Sequence, residues 1–373
     1  MSPTRPLAVE LFCGAGGMSL GFERAGIHVA AAVDRDPIHM VAYAANFPGT
    51  AAIQADVGSI TGAQIRERAG LGTQRVDVLF GGPPCQGFSV GGRHKPDDPR
   101  NELLGHFARL VSELRPAYFV VENVAGLLGA NHGATVAAFV EAVGRADYHV
   151  VEPIRILDAR DFGVPQRRRR AFIIGYASDA AVPREPTPDA GVTPVTVWDA
   201  IGDLDGVLPT SGWLEGGTYR GDLAEPSAYA ARLRAPRKVD GAPALPTAGL
   251  RRDGLTGCLF TVHTQAMVDR FMETSPGSYE PTSRYYRLAK AGVAPTLRAG
   301  SDGEHGSYTA PRPIHPIHPR CITVREAARL HSIPDWFAFN ATNWHGFRQV
   351  GNAVPPHLAC AVARPITEAL AAR

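Results

Sequence analysis

The chain has 373 residues, 45% of them apolar and 20% charged, which gives it a sizeable core and excludes wholesale disorder. No run of about 18 apolar residues occurs, so no membrane span is indicated. The net charge of +2 supplies no bulk attraction to nucleic acid, and any basic surface has to be local.

In chain order, the opening stretch MSPTRPLAVELF lacks the basic, apolar and small-residue regions of a signal peptide, and a cytoplasmic protein is expected. The run at 7–12 reads as a strand that feeds a tight turn, CGAGG, and then a helix. Gly14, Gly16 and Gly17 permit positive φ and close approach of backbone to a ligand, and the helix N-terminus behind them favours negative charge. A dinucleotide fingerprint would need glycine where Ser19 stands. Further strands read at 27–33, 51–56 and 76–80. Asp34 ends the second strand, where a carboxylate can accept both hydroxyls of a ribose. Asp56 ends the third, where it can accept from an adenine amino group. A nucleoside-containing ligand fits this edge; so do glycines that only make a turn and aspartates that only cap helices.

The fourth strand runs into FGGPPCQGFS at 80–89. Pro83 and Pro84 fix φ and carry no donors, so Cys85 sits on a stiff loop at the carboxyl edge of the sheet. A thiolate is the reactive form of cysteine, and this setting favours chemistry over packing. Cys13, Cys258, Cys321 and Cys360 read instead as buried structural thiols. The odd total and the lack of C-x-x-C spacing suit a reducing compartment and no bound metal. The following VGGRHKPDDPRNELL is rich in Gly, Pro and charge, a loop able to move over a site or simply to connect.

Helices read at 101–114 and 134–145, and strands at 117–123, 148–156 and 170–176. The alternation indicates a parallel sheet with helices on both faces. Glu122 ends the apolar run of AYFVVENV, where a partly desolvated carboxylate can hold or donate a proton, or merely cap a helix. In PQRRRRAFIIGY, Gln166, Arg168 and Arg170 share one face of an extended chain, able to stabilise negative charge; Arg167 and Arg169 share the other. From 181 to 318 the chain turns rich in Pro, Gly and Thr and loses the strand-helix rhythm, which indicates a second, smaller and irregular domain. A helix returns in TVREAARLHSIP, and a last one over Pro356–Ala372 is expected to pack back on the first domain.

Taken in order, ELFCGAGGMSLGFERAG, GGPPCQGFS, VVENV, QRRRR with its Q-x-R-x-R pattern, RCITVREAARLHSIPD and FRQVGNAVPP resemble the DNA cytosine-5 methyltransferases. The resemblance spans nearly all of the chain outside 181–295. It implies a Rossmann-like, S-adenosylmethionine-dependent α/β fold with four parts. These are a catalytic domain at 1–180, a target-recognition domain at 181–318, a hinge and supporting helix at 319–345, and a segment at 346–373 that completes the catalytic domain. It implies S-adenosyl-L-methionine as donor, with Phe12 stacked on adenine and Cys13, Gly14, Ala15, Gly16 and Gly17 around the amino-acid moiety. Asp34 would hold the ribose and Asp56 the adenine, with Arg35 and Val57 also among the cofactor-binding residues. Gly82, Pro84, Leu103, Asn352 and Val354 would complete the pocket, Asn352 lying beside the glycine turn.

The resemblance also implies the catalytic set Cys85, Glu122, Arg168 and Arg170, and DNA contacts from Gln86, Ser89, Arg100, Gln166, Thr296 and Leu297. Cys85 would add to C6 of a cytosine flipped out of double-stranded DNA, Glu122 would engage N3 and the exocyclic amine, and Arg168 or Arg170 would stabilise O2. A bacterial monomer acting alone or beside a separate restriction endonuclease is expected. Two departures bear on loop contacts: His331 stands where the family often has Gln, and the loop from Cys85 to Arg100 is about one residue short. The rivals are a tRNA cytosine methyltransferase, which lacks a long recognition domain, a nicotinamide dehydrogenase, opposed by Ser19, and a catalytically silent homologue.

Overall fold

A computed structural model describes residues 5–84, 102–129, 132–189, 191, 193–207, 217–219, 221–237, 250–251, 254–300 and 312–372. Its packing divides into two compact units, one of residues 1–158, 169–188 and 358–373, the other of 159–168 and 189–357. The boundaries expected at 180/181 and 345/346 therefore lie some way from those the packing draws at 188/189 and 357/358.

The first unit is built, among the described residues, on eight strands. The central ones are rich in Val, Ala and Phe and buried along most of their length, as strands covered on both faces must be. Those at 51–54, 148–150 and 155–158 are mostly half-buried or exposed. The eight are β1 (Leu7–Leu11), β2 (His28–Asp34), β3 (Ala51–Gln54), β4 (Val78–Gly81), β5 (Tyr118–Val124), β6 (Tyr148–Val150), β7 (Arg155–Asp158) and β8 (Arg169–Ala177). The sheet runs β3-β2-β1-β4-β5-β8-β6, with β7 on β8. The first five strands pair in parallel, whereas β8 is antiparallel to β5, β6 and β7. The sheet is therefore mixed where a parallel one was expected, because the short connection 159–168 returns the chain without the helical crossover a parallel neighbour needs. The strand expected over 148–156 is likewise two, broken where Pro153 can give no ladder hydrogen bond.

Helices α1 (Gly17–Arg24), α2 (Pro37–Asn46), α3 (Gly62–Arg68), α4 (Glu102–Leu114) and α5 (Gly133–Gly144) alternate with these strands. Phe22 of α1 stacks on Phe80 of β4 at 3.8 Å, and Phe107 of α4 meets Phe119 and Phe139 edge-on. Asp36 caps α2 by accepting from the Ile38 N–H at 2.9 Å, ahead of Pro37 at the first helical position.

Among the described residues the second unit carries short elements: α6 (Val197–Ile201), α7 (Ala228–Arg234), the two-residue strands β9 (Leu250–Arg251) and β10 (Gly254–Leu255), α8 (Gln265–Glu273), α9 (Val324–Leu330) and α10 (Asn343–Asn352). Buried arginines do much of the holding. Every residue of α9 is buried. Arg325 donates to the carbonyls of Thr256, Pro334 and Phe337, and Arg329 to the carboxylates of Asp203 and Asp335. The final helix, α11 (Pro356–Ala371), belongs to the first unit from Leu358 on, where the Thr367 hydroxyl donates to the Ala25 carbonyl at 3.0 Å. Among the described residues no helix is long and apolar enough to cross a membrane.

Candidate active site

Strand order reverses between β1 and β4, and open α/β sheets bind ligands in the crevice at such a point. The register pairs Leu11 with Gly81, so Phe12 and Gly82 leave the sheet side by side. A side chain at Gly81 would overlap the Leu11 carbonyl, which is why glycine stands there. The glycine turn and the Pro-Pro loop thus share one edge.

The turn is strained and open. Phe12, half-buried, has φ +56°, a left-handed conformation that costs a bulky residue about 1–3 kcal/mol and collects at ligand sites. Gly14 has φ +54°, and a Cβ there would meet nothing within 4 Å. Gly16, at φ +98°, is closed in: a Cβ there would overlap the Phe47 ring and lie 3.0 Å from Tyr43. The Gly14 N–H donates to Asp34 Oδ2 at 2.9 Å, and the Asp36 N–H to Asp34 Oδ1 at 2.8 Å. Burial pushes the Asp34 carboxyl up, but His39 and these two N–H groups outweigh it and hold it below the usual carboxylate range. A charged carboxylate with lone pairs to spare therefore sits beside open space over Gly14, a combination that fits the ribose of a nucleoside. Arg35 is exposed; Asp56 is exposed and accepts from the Gly58 N–H at 2.7 Å; Val57 is buried after β3. Leu103 is half-buried in the first turn of α4.

On β5, Glu122 is 8% exposed. Its Oε1 pairs with Arg170 Nε at 2.8 Å. Its Oε2 faces the loop, 2.8 Å from where a Cβ on Gly82 would be. Any residue larger than glycine at 82 would thus drive the carboxylate away. The neighbouring Asn123 ties the loop down by donating to the Pro83 carbonyl at 3.4 Å. Pro84 is exposed. Cys85, Gln86, Ser89 and Arg100 lie outside the described residues.

Burial alternates through 166–170, with Gln166 and Arg168 inside and Arg167 and Arg169 exposed. The two arginines of the inner face nonetheless differ. Arg170 meets Glu122, whereas Arg168, in the second unit and 2% exposed, donates to the carbonyls of Leu297 at 3.0 Å and Gly351 at 2.9 Å. Gln166, expected among the DNA contacts, is fully buried. Its amide donates to the Leu330 carbonyl and to His331 Nδ1, and its Oε1 accepts from the Leu297 N–H. His331 Nε2 in turn donates to the Ala353 carbonyl at 2.8 Å, which fixes the ring as the Nε2–H tautomer. Leu297 is also buried, while Thr296 is half-buried and donates to the Arg167 carbonyl at 2.6 Å. Asn352, exposed, and Val354, buried, belong to the second unit.

Two features were missed in the sequence. Glu10 and Ser19 are buried against each other behind the glycine turn, and the only signals were a glutamate inside an apolar run and a serine at a glycine's place. Asp205, His315 and His318 offer ligand atoms within 4.8 Å of one another. His315 Nδ1 already accepts from the Ile317 and His318 N–H groups, so the ring proton sits on Nε2 and no lone pair is left for an ion. Burial keeps that ring neutral, pushing it down to about 4.

A family model described as C-5 cytosine-specific DNA methylase matches residues 8–368. The Type II methyltransferase M.XorII of Xanthomonas oryzae pv. oryzae is 47% identical over 372 residues, covering 98% of this chain and 86% of its own. M.AgeI of Thalassovita gelatinovora, also a Type II methyltransferase, is 32% identical over 97% of this chain and 99% of its own. Among solved structures, an E. coli prophage protein described as a DNA modification methyltransferase superposes with a TM-score of 0.83 at 34% identity, over 98% of this chain and 99% of that one. Spodoptera frugiperda DNMT2 shares the fold, with a TM-score of 0.59 at 17% identity over 97% and 99% of the two chains.

Proposed function

The chain belongs to the C-5 cytosine-specific DNA methylase family, and from that premise we propose that it methylates C5 of a cytosine flipped out of a specific double-stranded DNA sequence, through a covalent bond between Cys85 and C6. The methyl donor is S-adenosyl-L-methionine, held by Phe12, the Cys13–Gly17 turn and Asp34. When bound it supplies an electrophilic methyl group on a sulfonium. The names of the relatives support a modification enzyme that acts beside a restriction endonuclease.

The chemistry answers to what cytosine resists. C5 of an aromatic pyrimidine is a poor nucleophile. Addition of the Cys85 thiolate to C6 pushes electrons toward N3 and O2 and leaves C5 enamine-like. Glu122 engages N3 and the exocyclic amine, and Arg170 stabilises O2, so the charge that addition creates is neutralised as it forms. Once C5 carries the methyl group, a base takes the C5 proton and the electron pair expels Cys85. Arg168 is read as a strut that holds Leu297 and Gly351, not as a group that touches the base.

One observation carries this reading: the Glu122 carboxylate has one oxygen on Arg170 and the other facing the loop that leads to Cys85. Bisulfite sequencing of DNA from cells producing the protein, beside a Cys85→Ala control, tests it. Cytosines of one sequence context should be protected with the parent chain and none with the control. Unprotected DNA throughout, with folded protein present, would defeat the proposal; protection of tRNA alone would turn it toward an RNA substrate. DNA containing 5-fluorocytosine should trap an adduct, because fluorine cannot leave as a proton, and the Cys85→Ala chain should form none.

A further inference from the structure

Behind the glycine turn lies a buried polar chain that the proposed reaction does not use. Glu10 in β1 is 2% exposed, and Ser19 in α1 and Tyr43 in α2 are fully buried. The Ser19 hydroxyl donates to Glu10 Oε2. Its single proton being so used, it accepts from the Tyr43 hydroxyl at 2.7 Å. The chain thus joins the strand before the turn, the helix after it, and the helix against which the turn rests. Tyr43 is also the ring that, with Phe47, closes on Gly16. Shifting Tyr43 shifts the floor of the turn.

We propose that Glu10, acting through Ser19 and Tyr43, positions the Cys13–Gly17 turn and so sets the affinity for the methyl donor. This rests on the reading above that the turn holds that donor. A buried acid is an expensive way to hold three elements together unless it stays neutral. Burial pushes the Glu10 carboxyl well above the usual range; the Ser19 bond opposes this, and the nearby carboxylates Asp34 and Glu23 reinforce it. Burial, and after it Glu10, likewise raise Tyr43. A neutral, hydrogen-bonded chain fixes geometry and places little charge near a cationic ligand. Glu10 is a positioning residue, because the turn stands between it and any donor.

The test is the affinity of the full chain for S-adenosylhomocysteine by calorimetry, with steady-state kinetics at saturating DNA. Glu10→Ala should weaken binding and raise the donor KM about tenfold, the worth of one buried hydrogen-bonded link, with kcat per folded molecule changed less than about twofold. Glu10→Gln keeps a neutral acceptor for Ser19 and should recover affinity to within about threefold. Tyr43→Phe keeps the ring beneath Gly16 and removes only its hydroxyl; it should weaken binding about threefold or more. A merely structural Glu10 would lower the melting temperature and the folded fraction but leave the Kd of folded molecules alone. Unchanged Kd in Glu10→Ala, or in Tyr43→Phe and Ser19→Ala where Glu10→Ala does not fold, overturns the proposal. A parent chain with no affinity for S-adenosylhomocysteine would instead sink the reading of the turn as a donor site.

Discussion

Two glycines of one turn are required for different reasons, and substitution should separate them. Gly14 faces open space, so Gly14→Ala carries only the left-handed backbone cost of about 1–2 kcal/mol, while its methyl enters the volume read as the donor's. It should lower thermal stability modestly and raise the donor KM by about tenfold or more. Gly16→Ala must also displace the Phe47 ring, and about 2–4 kcal/mol of lost stability is expected by denaturant titration. Equal melting temperatures for the two variants would contradict the packing. The arginines of QRRRR divide in the same way. Arg170→Ala should cut kcat about hundredfold or more, as removal of a group facing developing charge does. Arg168→Met leaves the Leu297 and Gly351 carbonyls without their buried donor and should cost about 2–4 kcal/mol in stability. The alternating burial of 166–170 was legible from an extended-chain reading. Which inner arginine meets a carboxylate was not, because that depends on Glu122, distant in sequence and delivered by a neighbouring strand.

Among elements, the parallel half of the sheet was legible because each strand is an apolar run bounded by turn residues and followed by a helical period. The antiparallel β8 was not, since an apolar run records burial and carries no sign of direction; only the shortness of the preceding connection hints at it. Helix α9 was visible from the helical pattern of TVREAARLHSIP, and in the structure Thr323 and Glu326 start it with the reciprocal bonds of a capping box. Its total burial was not, because VREAARL reads as an amphipathic surface helix with two charged arginines. Those arginines are neutralised by carbonyls and carboxylates that arrive from elsewhere in the second unit. Arg320 serves the same helix, its two amino groups on Glu326 at 2.9 and 2.8 Å. Arg320→Met strands a buried carboxylate, and a loss of about 3–5 kcal/mol is expected in urea unfolding. A loss below about 1 kcal/mol would mean that the pair contributes no more than a surface contact.

Across the whole molecule, the two units carry buried glutamates whose proton affinities are displaced in opposite directions. In the second, burial raises Glu326, but Arg320, His315 and the Thr323 N–H outweigh it and hold the carboxyl down to about 2, against an ordinary 4.5. A depressed folded value means stability fully present above the unfolded value and lost as pH falls from about 4.5 toward 2, worth about 3 kcal/mol. In the first unit, Glu10 is raised, so its contribution is complete below 4.5 and declines as pH rises above it. Asp34 there opposes it, held down by His39 and two N–H groups against its burial. The first unit also keeps an extended aliphatic and aromatic core against its sheet. Hydrogen exchange followed by mass spectrometry between about pH 6 and pH 3 should therefore show α9 losing protection first while β1 and β2 keep theirs. Glu326→Gln should lessen the acid slope of the second unit by that carboxyl's share, His315 and Glu280 still titrating there, and leave the slope of the first unchanged. Simultaneous loss at one midpoint in both units, unaltered by that substitution, would show that acid unfolding is governed by something other than these buried carboxyls.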